Sequence, residues 1–205
     1  MSNKEIRAFN FKVRAGDDDK PGRLTGQPIV YNERTDMGWY DEIIDDGALA
    51  NTDLRDVRFL VNHNTDMIPL ARSRNNNANS TMQMEVVPGA GMSIRVDLDT
   101  ENNADAKSLY SAVERGDLSG MSFMFAVDKD TWEGLESEHP TRHITAISKV
   151  FEVSAVTFPA YEATSIQARG LADALESAKA SLDSAKAAKR KIDRQKQRIR
   201  LLAEV

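Results

Sequence analysis

Short stretches in which apolar and polar residues alternate dominate the chain as far as about Tyr161. Alternation with period two is typical of strands that bury one face. Two such runs, 82–86 and 92–98, flank Pro88-Gly89-Ala90-Gly91 and predict a β-hairpin. Further strands are predicted at 9–13, 24–31, 57–61, 121–127, 142–147 and 151–158. Pro28 lies inside one of them, which requires a sheet edge or a bulge there because proline cannot donate to a ladder.

Two segments have helical spacing instead. Between Ala104 and Arg115 apolar residues recur every three or four positions, and Gly116 is placed to end this helix. The chain contains neither Pro nor Gly after Gly170 and is rich in good helix formers, which predicts a long C-terminal helix. Its apolar seam is a weak heptad repeat, in which Ala and Lys occupy several positions: Leu171, Leu175, Ala178, Leu182, Ala185, Lys189, Ile192, Lys196 and Ile199.

Many strands joined by short connections predict a β-rich α+β fold. We expect a closed or nearly closed β-barrel with peripheral helices, because closure removes the edges that many strands would otherwise expose. A sandwich is the alternative, since the pattern of residues separates the two poorly. The change of character near Thr164 predicts two parts, a barrel domain over 1–165 and a basic helical extension over 166–205.

Composition and charge narrow the function. The chain of 205 residues has no cysteine, which excludes disulfides, thiolate zinc sites and a cysteine nucleophile. No apolar run approaches the ~20 residues of a membrane span, and the first residues do not resemble a secretory signal, so we expect an intracellular protein. Residues 186–200 carry eight basic residues against one acidic, a charge of +7, which leaves −12 for the rest of a chain of net charge −5. This asymmetry suggests different partners for the two parts.

Three positions are candidates for chemistry, and each also has a plain structural explanation. His63 follows an apolar strand, where a general base would be held rigidly, but its position alone favours a surface or capping histidine. Ser122 precedes an apolar strand after a turn between two glycines, where nearby amides could face an oxyanion, although such turns are common. Glu152 interrupts an apolar strand and would need a partner if it points inward, but one face could be solvated.

Three segments in this order resemble the prohead protease family of tailed bacteriophages, serine peptidases similar to the herpesvirus capsid maturation proteases. The correspondence covers most of residues 5–166. Its most specific motifs are Arg115-Gly116-Asp117-Leu118-Ser119-Gly120-Met121-Ser122-Phe123-Met124-Phe125 and Glu152-Val153-Ser154-Ala155-Val156-Thr157-Phe158-Pro159-Ala160-Tyr161. Weaker matches are 26–32, 42–49 (similar to a family stretch E-x-I-x-P-G-A-F) and 57–69, where the family often has His-Asp and this chain has His63-Asn64.

The resemblance implies a Ser-His-Glu endopeptidase with Ser122 as nucleophile, His63 as base and Glu152 as the group that orients the histidine. Ser122 is preferred to Ser119 because it holds the family's Gly-hydrophobic-Ser position. His143 is the substitute for Glu152, since the related viral enzymes use a second histidine there. No cofactor or metal is expected, and the His and acidic residues lack a His-Glu-x-x-His spacing.

The resemblance also implies substrates, partners and a location. The enzyme would cleave scaffold protein, or the scaffolding segment of the major capsid protein, and itself, inside the immature prohead in the cytoplasm of the bacterial host. Self-association is expected, and membrane binding is not. Nucleic-acid binding is not expected either, despite the +7 helix, because this helix lacks aromatic residues and a recognition motif. We hypothesise that this helix tethers the protease to scaffold or capsid protein. An inactive assembly component that keeps the fold is the alternative function.

Overall fold

A computed structural model of the chain describes residues 4–9, 14–15, 22–157 and 165–203. Its elements in chain order are β1 (Lys4–Phe9), β2 (Arg14–Ala15), β3 (Arg23–Val30), β4 (Arg34–Asp36), β5 (Asp41–Ile44), β6 (Asp56–Val61), β7 (Ala71–Arg74), β8 (Met82–Val87), β9 (Gly91–Asp97), α1 (Ala104–Glu114), β10 (Gly120–Glu133), β11 (Thr141–Val156) and α2 (Ser165–Ala203). The strand predicted at 9–13 lies largely outside the described residues.

The long hairpin of β10 and β11 is the centre of a seven-stranded sheet, in which the described strands follow the order β1-β10-β11-β5-β4. On its other edge β11 pairs in parallel with β5 through 141–144 and with β6 through 152–155, and β7 continues from β6. Several register shifts along β10 bend and twist this hairpin, as bulges do. One strand therefore joins elements that are far apart in sequence.

A second sheet of four described strands, in the order β2-β3-β9-β8, contains the predicted hairpin of β8 and β9. The ladder between β3 and β9 shifts register between Gly26 and Ile29, so Pro28 lies at the irregularity that the sequence required. Apolar residues of both sheets form one core, among them Ile29, Met92, Phe59, Phe123 and Val153. Two sheets around one core are a layered arrangement.

The expectation of a closed barrel is wrong. Among the described strands neither sheet closes on itself, and no ladder joins one sheet to the other. The seven-stranded sheet ends at β1 on one side and at β4 on the other, with β7 as a further edge. Closure would have removed these edges. Here the edge at β4 is protected from pairing with another strand in a different way. β4 is only three residues long and exposes the charged Arg34 and Asp36.

Both predicted helices are present. In α1 the side chain of Asn103 accepts hydrogen bonds from the main-chain N–H groups of Asp105 and Ala106, which caps the helix start. In α2 the buried residues Ala174, Ala178 and Leu182 lie on one face, while residues 187–200 are exposed. The division of the chain into two domains stays a prediction. Within the described residues, no helix is long and apolar enough to cross a membrane.

A buried ion network connects the first strand to the sheet. It consists of Glu5, Arg7, Glu42 and Arg142, each no more than 2% exposed. Arg7 forms a bidentate pair with Glu42 and lies 2.6 Å from Glu5 through Nη2. Arg142 contacts Glu5 at 3.0 Å and Glu42 at 3.2 Å. Burial alone would lower the pKa of Arg7, but the carboxylates of Glu42 and Glu5 outweigh it and raise that pKa, so the network stays charged.

Helix α2 docks on this network through serines. The Ser177 hydroxyl donates to Glu5 Oε1 at 2.8 Å, and the Ser181 hydroxyl donates to Asp130 Oδ1 at 2.8 Å. Asp130 in turn accepts from Arg142 Nε at 2.6 Å. Trp132 Nε1 donates to the Ser181 oxygen at 3.0 Å. The N-terminal strand, the β10–β11 hairpin and the C-terminal helix thus share one polar centre.

Candidate active site

The C-terminal ends of β6 and β11 and the start of β10 lie next to one another at one end of the seven-stranded sheet. Strands β6 and β11 run in the same direction, so residue 63 after β6 lies beside the last residues of β11. Strand β10 is antiparallel to β11, and its start therefore lies there too, with Ser122 directly opposite Ser154. Residues alternate between faces, so Ser122, Ser154 and Glu152 share the face opposite to the core residues Phe123 and Val153.

A tight turn after β6 places His63. Asn62 and His63 both have positive φ values, 51° and 57°, in the left-handed region that Asn and His enter more readily than most residues. Asn62 is fixed to the end of β11, because its main-chain N–H donates to the Ala155 carbonyl at 2.9 Å and its side-chain oxygen accepts from Thr157 N at 3.0 Å. The histidine is buried by this turn, at 2% exposure.

His63 and Glu152 form a buried pair. The two atoms His63 Nδ1 and Glu152 Oε1 are 2.6 Å apart, and Glu152 is 3% exposed. An ionised carboxylate can only accept, so this contact favours the tautomer with the proton on Nδ1. Nε2 then keeps its lone pair, and it has no hydrogen-bond partner among the described residues although it is buried. Such an atom is available to accept a proton.

Ser154 is a third member of this cluster that sequence reasoning missed. Its hydroxyl donates to Glu152 Oε2 at 2.5 Å and accepts from the main-chain N–H of His63 at 3.1 Å. The residue is fully buried. Its place two positions after Glu152 was the available signal, since residues i and i+2 of a strand share a face.

Ser122 lies next to this cluster but its hydroxyl points elsewhere. The side chain is fully buried, and Oγ donates to the main-chain carbonyl of Arg7 on β1 at 2.7 Å. Opposed residues of an antiparallel pair have Cβ atoms about 4.5–5.5 Å apart, so Ser122 is a direct neighbour of Ser154. The three residues singled out from the sequence are thus close together, without a hydrogen bond between Ser122 and His63.

A different group of side chains has the composition of a metal site. Ligand atoms of Asp36, Asp41 and His139 lie within 4.8 Å of one another, at the surface. Asp41 is already paired, with Arg34 Nη1 at 2.6 Å and His139 Nε2 at 3.0 Å. These donors satisfy the carboxylate without a metal ion.

Comparison with known proteins decides the family. The family model described as "Caudovirus prohead serine protease" matches residues 9–178. The chain belongs to this family. A relative, the prohead protease of Enterobacteria phage HK97, is 28% identical over 177 residues, which cover 83% of this chain and 72% of the relative. No solved structure matches the chain. The protein is therefore a serine protease of capsid maturation, while the expected relation to the herpesvirus enzymes stays a prediction.

The alternative candidates in this prohead protease, His143 and Ser119, are not members of the buried cluster. His143 is on β11 nine positions before Glu152, about 30 Å along a straight strand, and its Nδ1 is 2.8 Å from Asp45 Oδ1. It is therefore not placed to act as a third member with His63. His139 is an exposed residue of the loop before β11, and Ser119 is an exposed residue before β10.

Proposed function

We propose that this prohead protease is a Ser-His-Glu endopeptidase. Ser122 is the nucleophile, His63 the general base and Glu152 the carboxylate that fixes the histidine tautomer. The observation that carries the proposal is the buried contact of His63 Nδ1 with Glu152 at 2.6 Å, on the face of the sheet that also carries Ser122, while Nε2 has no partner among the described residues. A serine hydroxyl is a weak nucleophile until an adjacent base accepts its proton.

The steps follow from this assignment. Ser122 Oγ attacks the scissile carbonyl carbon while its proton passes to His63 Nε2, and the imidazolium is stabilised by Glu152. His63 returns that proton to the leaving amine as the peptide bond breaks, which leaves an acyl-enzyme on Ser122. A water molecule then gives its proton to His63 as its oxygen attacks the ester, and His63 passes this proton to the Ser122 oxygen as the acid is released.

Before the first step the Ser122 side chain has to change its partner. Its hydroxyl now donates to the Arg7 carbonyl, and a rotation about χ1 is required to direct it at His63 Nε2. Catalytic hydrogen bonds are often absent or long before substrate binds, so the present arrangement is compatible with the assignment.

The substrates we propose are the scaffold protein, or the scaffolding segment of the major capsid protein, and the protease itself. Cleavage would take place inside the immature prohead in the cytoplasm of the host. Self-association and a tethering role of α2 remain proposals of the same kind. Their support is the family and, for α2, the exposed basic face beyond its docked part.

One observation favours the alternative of an inactive assembly component with the same fold. The Ser122 hydroxyl is bonded to β1 and not to His63. A protein that had lost activity could keep this bond as a structural one. It would then tolerate the loss of the hydroxyl without any change in capsid processing.

The test is the intact mass of the purified protein over time, at high concentration, beside Ser122→Ala. Fragments from the parent that are absent in the variant support a serine protease with Ser122 as nucleophile. Identical cleavage in both would remove Ser122 from the mechanism and direct attention to Ser119. If neither is cut, co-expression with capsid protein decides: processing by the parent alone supports the proposal, and unchanged capsid protein supports the inactive component.

A further inference from the structure

We propose that Ser154 is a positioning residue of the active site, which sets the orientation of both Glu152 and His63. This inference rests on the proposed function for its consequence in catalysis. The geometry that motivates it does not depend on that function. Ser154 is fully buried on the same face of the sheet as Glu152 and Ser122.

The direction of the Ser154 hydroxyl follows from its two contacts. The main-chain N–H of His63 can only donate, so at 3.1 Å the Ser154 oxygen accepts from it. The hydroxyl proton is then free for Glu152 Oε2, 2.5 Å away. This distance is in the range of charge-assisted O–H···O⁻ bonds, which are about twice as strong as neutral ones.

One hydroxyl therefore fixes two groups that must act together. The Glu152 carboxylate has one oxygen on Ser154 and the other on His63 Nδ1, so its rotation is restricted at both ends. The bond to His63 N stabilises a residue with φ of 57°, in a region that is costly for most side chains. Ser154 thus connects the backbone turn that carries the base to the carboxylate that orients it.

Without this hydroxyl, both partners lose a buried hydrogen bond. Glu152 would be free to rotate its carboxylate away from Nδ1, and the His63 turn would lose one anchor. A displacement of about 1 Å in a catalytic group can lower the rate on the order of 10²-fold. Ser154 forms hydrogen bonds with Glu152 and His63 and is only a cross-strand neighbour of Ser122. It therefore acts through the histidine and its carboxylate and not on the substrate.

The chain offers a matched control. Ser73 on β7 is also fully buried, but its hydroxyl has no hydrogen-bond partner among the described residues. Ser73→Ala removes a buried serine hydroxyl without breaking a polar contact. Any difference between the two alanine variants therefore comes from the contacts of Ser154.

Two measurements test the role. The first is the rate at which diisopropyl fluorophosphate labels Ser122 in the full chain, which reports activation of the nucleophile without a known substrate. The second is the far-downfield proton NMR resonance of His63 Nδ1–H, which reports the bond to Glu152 directly. Melting temperatures of all variants, compared with Ser73→Ala, separate a loss of geometry from a loss of folded protein.

We expect Ser154→Ala to label on the order of 10²-fold more slowly and to lose or shift the resonance. Ser154→Cys should behave in the same way, because it fills similar space with a weak donor. Ser154→Thr keeps a hydroxyl and should restore both signals, and Ser73→Ala should change neither. Wild-type labelling together with a retained resonance in Ser154→Ala and Ser154→Cys would overturn the role.

The failure of the proposed function is distinguishable from the failure of this inference. If Ser122 of the wild-type protein is not labelled, the nucleophile assignment fails and the resonance alone decides about Ser154. Its loss in Ser154→Ala, with the fold intact, still supports a positioning role for the pair of His63 and Glu152. Its persistence there contradicts that role.

Discussion

The protein buries two polar clusters that are built on different principles. In the ion network two arginines meet two glutamates, and Arg142 also pairs with Asp130, so each of these charged groups has an opposite partner. In the site cluster one glutamate meets one histidine and one serine, and the imidazole Nε2 is left without a partner. Both clusters are almost completely shielded from solvent.

The difference shows which of the two is suited to chemistry. A buried polar atom without a partner costs stability, and in the site cluster this atom is a basic ring nitrogen whose ring is held by a carboxylate on the face of the sheet that carries Ser122. In a network whose charged groups all have partners, no group is left free to take up a proton, and the contacts hold the elements together. The ion network joins β1, β5, β11 and α2, and the comparison agrees with the proposal that the site cluster transfers protons.

The largest effects, on activity in one case and on stability in the other, are expected when a glutamate of each cluster is replaced by glutamine. Glu152→Gln should lower the rate of self-cleavage by about 10³–10⁴-fold, because an amide can donate to Nδ1 and so favour the wrong tautomer of His63. Its stability should change by no more than about 1 kcal/mol. Glu42→Gln should instead destabilise the fold by about 3 kcal/mol, since Arg7 and Arg142 lose a buried counter-charge.

Intact mass and urea unfolding together measure these outcomes. The rate of Glu42→Gln, corrected for the folded fraction, should equal that of the parent, because Glu42 does not touch the site cluster. If Glu42→Gln proved inactive while fully folded, or Glu152→Gln retained full activity, the division of roles between the clusters would be wrong.

The next largest effect is expected on the free energy of unfolding when the ion network loses one of its arginines. Arg142→Met should lower the free energy of unfolding by about 3–5 kcal/mol, because Glu5, Glu42 and Asp130 are left without their shared cation. The matched control is Arg115→Met. Arg115 is 2.6 Å from Asp117 in a pair that is more than half exposed, and such a pair contributes about 0–1 kcal/mol. Equal effects of the two variants would contradict a structural role for burial of the network.

Acid should weaken the network through Glu5. Burial by itself raises the pKa of this carboxyl, but the charges of Arg7 and Arg142 outweigh burial and hold the pKa below its usual 4.5. A depressed pKa contributes stability that is present above the unfolded value and is lost as the pH falls through the folded one. Unfolding free energies below pH 4.5 should therefore fall less steeply in Glu5→Gln, by up to about 1.4 kcal/mol per pH unit. Identical slopes would mean that folding does not lower the pKa of Glu5.

The smallest effect tests the docking of α2 on the network. Ser177→Ala should cost about 1 kcal/mol, because Glu5 loses the hydroxyl that now donates to it. Ser184→Ala on the same helix removes a hydroxyl that is exposed and bonds only within the helix, to the Ala180 carbonyl. It should leave the melting temperature unchanged. Alanine is the better helix former, so propensity would raise the stability of both variants, and a similar loss in both would contradict the docking role of Ser177.

The sequence predicted the parts of the fold that depend on local pattern. The period of apolar residues located the hairpin of β8 and β9, helix α1 and the strands that carry Ser122 and Glu152. It also indicated that an inward Glu152 would need a partner, and the structure provides one in His63. Their catalytic roles stay predictions.

What the sequence did not predict depends on long-range pairing. The expected barrel was wrong, because the period of a strand does not say whether the last strand meets the first. The ion network was missed because Glu5 and Arg142 are 137 positions apart, and nothing in the spacing of their neighbours indicates that they meet. Ser154 was missed because its contact with the main-chain N–H of His63 joins residues that are 91 positions apart.

The parallel pairing of β6 with β11 has a consequence for the order in which the protein is made. His63 and Glu152 are 89 residues apart, so a ribosome working at about 5–20 residues per second synthesises the carboxylate about 4–18 s after the histidine. Strands β5 and β6 have no β11 to pair with during that interval. Because such distant contacts form slowly, the proposed roles of His63 and Glu152 predict proteolytic activity only after residue 152 of 205, about three quarters of the chain, has been synthesised, and a shorter growing chain would not be able to cut its neighbours.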